Sequence, residues 1–122
     1  MKPLVTIFAA ALGLSLLTAP TQAQSIYECS GVGLDEREAA DSVPQTLRIE
    51  YAQPDGHYLG NVDTTISGSG GSEVLSVRCP GPWVLVNLPD GSYQVTSTLE
   101  GKTKTFGVTI SGGKRVRQVV TF

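Results

Sequence analysis

Between two strand-like runs, Trp83-Val84-Leu85-Val86 and Gln94-Val95-Thr96, the chain reads Leu88-Pro89-Asp90-Gly91-Ser92-Tyr93. The proline fixes one backbone angle, the Asp-Gly pair supplies turn chemistry, and the tyrosine returns to the apolar face. Such punctuation joins two antiparallel strands of a small β-sandwich. Leu88, Pro89, Gly91 and Tyr93 are its signature. The same stretch carries no catalytic chemistry, so it speaks to fold rather than to function.

The rest of the chain follows the same two-residue period. Thr46 to Tyr51 alternates, with Leu47, Ile49 and Tyr51 inward, and Gln53-Pro54-Asp55-Gly56 then turns the chain. A second strand runs from Tyr58 to Ile66, with Val62, Thr64 and Ile66 on one face. Ser67 to Ser72 is a Gly/Ser-rich connection. Leu75, Val77 and Cys79 mark a third strand, Trp83 to Leu88 a fourth and Tyr93 to Leu99 a fifth. Glu100-Gly101-Lys102 turns into a sixth strand bearing Phe106, Val108 and Ile110. Ser111-Gly112-Gly113 leads to a seventh that ends at Phe122. In this last strand Val116, Val120 and Phe122 share a face, with Gln118 between them and Val119 opposite. The strand is therefore either covered on both faces or bulged. Before the strands, Leu34 to Asp41 reads as a short helix. Asp35 is its expected cap, Glu38 completes a capping box, Leu34 can staple onto Ala39, and Val43-Pro44 ends it. The fold class expected is all-β: a seven-stranded, two-sheet antiparallel sandwich with a short N-terminal helix.

Residues 1–23 read as a signal peptide, with Lys2 first, an apolar Leu4–Leu17 and small residues before Ala23. The apolar run is too short for a membrane span, so none is expected after cleavage. What remains divides into 24–45, with the glycine loop and helix, and the sandwich proper, 46–122. Export to the periplasm or beyond would carry Cys29 and Cys79 into an oxidising compartment. A bridge between them is the expectation, with two free thiols or a redox pair as the alternatives. Closing that loop of about 50 residues is worth roughly 4 kcal/mol in the chain-entropy account.

Two stretches resemble short exported bacterial proteins with a carboxypeptidase regulatory-like domain. One is Ser30-Gly31-Val32-Gly33-Leu34-Asp35-Glu36-Arg37-Glu38-Ala39. The other runs from Gly81-Pro82-Trp83 through Leu88-Pro89-Asp90-Gly91-Ser92-Tyr93 to Thr96, reinforced by Gly101, Thr105–Ile110 and Gly112-Gly113. These proteins belong to the broader transthyretin-like (prealbumin-like) and collagen-adhesin B-type sandwiches. The resemblance, from Tyr27 to Phe122, implies a seven-stranded two-sheet domain without catalytic residues to carry over. A shared fold does not transfer a function. The hydroxyisourate hydrolases of this broad fold depend on several histidines and a Tyr-Arg-Gly-Ser tail. This chain has one histidine and ends Val119-Val120-Thr121-Phe122.

His57, that single histidine, sits just after a turn, and the serines lie in glycine loops without a nucleophile elbow. No catalytic residue, metal site or cofactor is expected, and the chain reads as a non-enzyme. The charges are lopsided: Lys102, Lys104, Lys114, Arg115 and Arg117 follow Glu100 with no acid among them, while Asp35, Glu36, Glu38 and Asp41 cluster near the start. Lys104, Arg115 and Arg117 are the candidate face for an anionic partner, an envelope protein or polymer. The same residues also suit a charged edge that discourages strand-to-strand aggregation. Export and net negative charge argue against nucleic acid. Trp83, Tyr93 and Phe106 fall on inward positions. The function expected is an exported, non-enzymatic binding or structural module of the bacterial envelope. The alternative is an inhibitor of an envelope-targeting enzyme such as C-type lysozyme, because Tyr27-Glu28-Cys29 is similar to the Tyr-x-Cys element that opens those inhibitors.

Overall fold

Alternating apolar residues and glycine-rich turns build two four-stranded sheets, seen in a computed structural model that describes residues 26–122. The expected leader, 1–23, lies outside the described residues. The strands are β1 (Tyr27–Ser30), β2 (Leu47–Ala52), β3 (Val62–Gly68), β4 (Glu73–Cys79), β5 (Trp83–Val86), β6 (Gly91–Leu99), β7 (Lys102–Ile110) and β8 (Val116–Thr121), with one α-helix, α1 (Gly33–Ala39). Sheet A has the order β1-β5-β2-β8 and sheet B the order β4-β3-β6-β7.

The all-β, two-sheet reading holds, with two corrections. There are eight strands among the described residues, because Tyr27–Ser30 pairs with β5. The arrangement is also not wholly antiparallel: β8 runs parallel to β2, Leu47 opposite Val116 and Tyr51 opposite Val120. A parallel neighbour needs a long crossover, and the whole of β3 to β7 supplies it. β8 is unbulged. Val116, Gln118 and Val120 share the inward parity of Leu47, Ile49 and Tyr51, and Val119 faces out, 45% exposed. The register shift falls instead in β3, between Ile66 and Ser67.

The core lies between the sheets. Leu47, Ile49, Val84 and Val86 of sheet A meet Val62, Ile66, Val95, Val108 and Ile110 of sheet B. Tyr51 crosses the layer, its hydroxyl hydrogen-bonded to those of Thr64 (2.7 Å) and Ser97 (2.6 Å). All three groups are buried, and each supplies the partner the others need. Burial pushes the Tyr51 hydroxyl above its ordinary pKa, against the opposing pull of those two bonds. Phe106 and Tyr93 pack on this core, as expected. Trp83 does not. It is buried on the outer side of sheet A, where register sets it opposite Ser30 and Glu50. Its strand leads out of Pro82, and Ala40, Val43, Arg48 and Tyr58 cover its ring there.

Helix α1 starts earlier than its capping pattern suggests. Val32 is the N-cap and carries no side-chain cap; its N–H instead donates to Glu36 Oε1 (3.0 Å). Leu34 is 63% exposed, so no staple forms. A 3-10 turn, Ala40–Ser42, follows and seats Ala40 with Trp83 and Leu85 in a second small core. Tyr58, expected inside a strand, makes only an isolated bridge to Ala52.

Leu88-Pro89-Asp90 joins strands of different sheets and is therefore a crossover, not a hairpin. Three bonds fix it. The Thr46 hydroxyl donates to Leu88 O and accepts from Leu88 N, each 2.8 Å, and Tyr93 Oη donates to Pro89 O at 2.7 Å. Cys29 and Cys79 are disulfide-bonded, their Cα atoms 5.4 Å apart. The bond ties β1 to β4, the edge strands on one side of the two sheets.

The β6–β7 hairpin turns on Glu100 (φ 50°) and Gly101 (φ 80°). Two successive left-handed residues suit Asn-Gly, and a glutamate in that region carries steric cost. Glu100→Asn is therefore expected to stabilise the chain by about 1 kcal/mol in thermal or urea unfolding.

Candidate functional site

The three cations singled out from the sequence do not share one open surface. Arg117 lies on the outer side of sheet A and donates to both oxygens of Glu50, Nε at 2.7 Å and Nη2 at 2.8 Å. The carboxylate's hydrogen bonds raise the Arg117 pKa. Arg115 donates to Asp41 Oδ1 at 3.1 Å. Lys104 belongs to sheet B, on the edge strand β7, its ammonium 5.8 Å from the Phe122 ring centroid. Its stem covers the open side of the core there, as long cationic side chains do. Two of the three charges are thus spent inside the chain.

Those pairs belong to a larger network. Arg48 donates to Asp41 Oδ1 (2.7 Å) and Gln45 Oε1 (3.1 Å), and its Nη1 lies 3.8 Å from Glu50. Its guanidinium sits 4.7 Å from the centroid of Trp83, which Tyr58 meets edge-on at 5.9 Å; Arg37 in turn covers Tyr58. The 3-10 turn, aromatics and ion pairs together cover much of the outer side of sheet A.

The outer side of sheet B is bare. Register places Ser76, Thr65, Thr96 and Thr105 in one row across its four strands, and Arg78, Asp63, Thr98 and Thr103 in the next. Hydroxyls bond across the strands, Thr98 to Thr103 at 3.1 Å and Thr65 to Ser76 at 3.4 Å. The charges in these two rows are Arg78 and Asp63, and they neutralise one another: Arg78 donates to both Asp63 oxygens, at 2.7 and 2.9 Å.

This second row runs to the rim of a cleft of about 510 Å³ at one end of the sandwich, where Leu59 and Leu99 meet Asn61, Asp63, Arg78 and Glu100. A smaller hollow of about 280 Å³ continues it past Leu59, Leu99 and Glu100 to Phe122 and Lys102. Gly60 holds one wall close. A Cβ there would stand 2.1 Å from the Pro80 carbonyl oxygen, a backbone atom that cannot swing away. Gly60→Ala is expected to cost about 2–3 kcal/mol by overpacking, measured by urea unfolding.

A hydrogen bond from Arg48 holds Asp41, and the pair from Arg78 holds Asp63, below the ordinary carboxylate range; His57 does the same for Asp55. A carboxylate lowered by folding stabilises the fold fully above its unfolded pKa of about 4, and that contribution disappears as pH falls through the lower folded value. Melting temperature is thus expected to hold from pH 7 to 5 and to fall below about pH 4. Asp41→Asn should flatten the fall. A melting temperature that rises on acidification would contradict these pairings.

His57 is exposed and bonded through Nδ1 to Asp55 Oδ2 (2.9 Å). Among the described residues, no three of His, Cys, Asp and Glu gather as metal ligands, and no helix is long and apolar enough to cross a membrane. Tyr27-Glu28-Cys29 lies on the edge strand β1. No protein-family model matches the chain, and no curated protein matches it. The threonine rows escaped sequence reasoning, although Thr96-x-Thr98 and Thr103-x-Thr105 are visible at the strand period.

Proposed function

We propose that the chain is an exported, non-enzymatic binding module of the transthyretin-like, carboxypeptidase regulatory-like kind, working in the periplasm or outside the cell. The disulfide supports an oxidising compartment, since such bonds persist there and are rare in the cytosol. The observation that carries the reading is the contrast between the two outer faces. One is covered by a 3-10 turn, stacked aromatics and internal ion pairs; the other is an uncovered, nearly charge-free array of hydroxyls held on a cross-linked scaffold. The partner is an envelope component met by sheet B, and the terminal cations chiefly serve the fold.

Photo-reactive residues at Thr96 on sheet B and at Val119 on sheet A test this in living cells. Crosslinks to one discrete envelope component from position 96, and none from 119, are expected. Exclusively cytoplasmic crosslinks, or equal labelling from both faces, would defeat the reading.

A further inference from the structure

From the end cleft beside sheet B we infer that the module's ligand is a neutral oligosaccharide, bound between Asn61 and Glu100 and continued over the threonine rows. This rests on the binding-module reading and specifies its ligand. The cleft's size falls within the range of small-molecule sites, roughly 300–1,000 Å³. Its composition suits a sugar. Leu59 and Leu99 offer apolar surface to ring C–H groups. An amide, a carboxylate and a guanidinium supply planar pairs of donors and acceptors that match adjacent hydroxyls.

Backbone geometry adds an independent observation. Among the described residues, two that are not glycine adopt left-handed φ: Asn61 at 62° and Glu100 at 50°. Both line this cleft. Asn adopts that region readily, but for Glu100 it is costly, and residues so held cluster at ligand sites, where the strain fixes a side chain in place.

Charge narrows the ligand further. Asp63 and Arg78 cancel, and Glu100 is offset by Lys102 in the adjoining hollow. A polyanion would meet Glu100 and Asp63; a polycation would meet Arg78 and Lys102. A neutral, hydroxyl-rich chain meets neither penalty. Beyond the rim, Thr98, Thr103, Thr96 and Thr105 repeat at strand spacing, about 4.8 Å across and about 6.8 Å along the sheet. A longer saccharide therefore gains contacts that a monosaccharide cannot reach.

The test is a 15N NMR titration of the oxidised protein with cellotetraose, chitotetraose and maltotetraose, and with tetragalacturonate as the charged counterpart. At least one neutral tetrasaccharide is expected to shift the amides of Asn61, Asp63, Thr98 and Glu100. It should bind at least tenfold more tightly than its monosaccharide and than the galacturonate. Asn61→Gly keeps the left-handed backbone and removes the amide; Glu100→Asn relaxes its turn and replaces the carboxylate with a shorter, uncharged amide. Each should weaken binding at least tenfold while the protein stays folded, and the second while it becomes more stable. Cleft amides unmoved by all three neutral sugars at millimolar concentration, or binding indifferent to both substitutions, would overturn the saccharide assignment. If crosslinking from Thr96 still captured an envelope protein, the binding module would stand without its sugar. Failure of both experiments would remove the two together.

Discussion

Replacing Cys29 and Cys79 together by alanine is expected to cost about 4 kcal/mol, near the value for a loop of this length. A domain of this size has only about 5–15 kcal/mol in total, so the variant keeps a small remainder. At about 4–8 °C per kcal/mol, the melting temperature should drop by roughly 20 °C. The bond crosses the sandwich, β1 to β4, on the side away from β8. The short β1 is held by four paired residues and this link, so it should be the first element to exchange its amides in the variant. Cys79 is buried and Cys29 half-buried, so a mild reductant should act on the folded protein slowly. A melting temperature within a few degrees of the parent would mean that the unfolded chain is already constrained by other means.

What was legible in the sequence was local. Leu47, Ile49 and Tyr51 announce an inward face because the strand period is two, and all three are buried. The turns at Gln53–Gly56 and Glu100–Gly101 follow from residue chemistry at adjacent positions. What was not legible depends on distant partners. Trp83 opens a run that is apolar at every position, so alternation does not separate its two faces; its place on the outer side follows from Arg48, Ala40 and Tyr58 arriving from elsewhere in the chain. β8 carries no mark of running parallel, since that depends on its pairing with β2, tens of residues earlier. Arg115 and Arg117 looked free because Asp41 and Glu50 lie far back in sequence. The candidate cleft combines residues from three separate segments, so no single window of sequence contains it.

Glu50→Ala is expected to destabilise the chain by about 4 kcal/mol, because it deletes the acid at the centre of the sheet A ion network. The Glu50 side chain is 3% exposed, yet it accepts both bonds of the Arg117 fork and lies 3.8 Å from Arg48, itself 10% exposed. Once it is gone, Arg117 can turn to water, since more than half of it is already exposed. Arg48 cannot. It stays between Trp83 and the 3-10 turn with Asp41 as its remaining carboxylate, and a buried cation with too little countercharge is the costly species. Replacing both Glu50 and Arg48 by methionine should therefore recover more than half of the loss, since no orphaned charge remains and the volume under Trp83 is kept. Salt separates this network from the exposed Asp63–Arg78 pair. Screening should leave the Glu50→Ala deficit nearly intact at 1 M salt, where the Debye length is about 3 Å, because the charge that matters is out of solvent. A deficit that vanishes in salt would place the cost in the solvent-exposed Arg117 pairing, and a double variant no better than the single one would place it in lost packing around Glu50, instead of in the uncompensated Arg48.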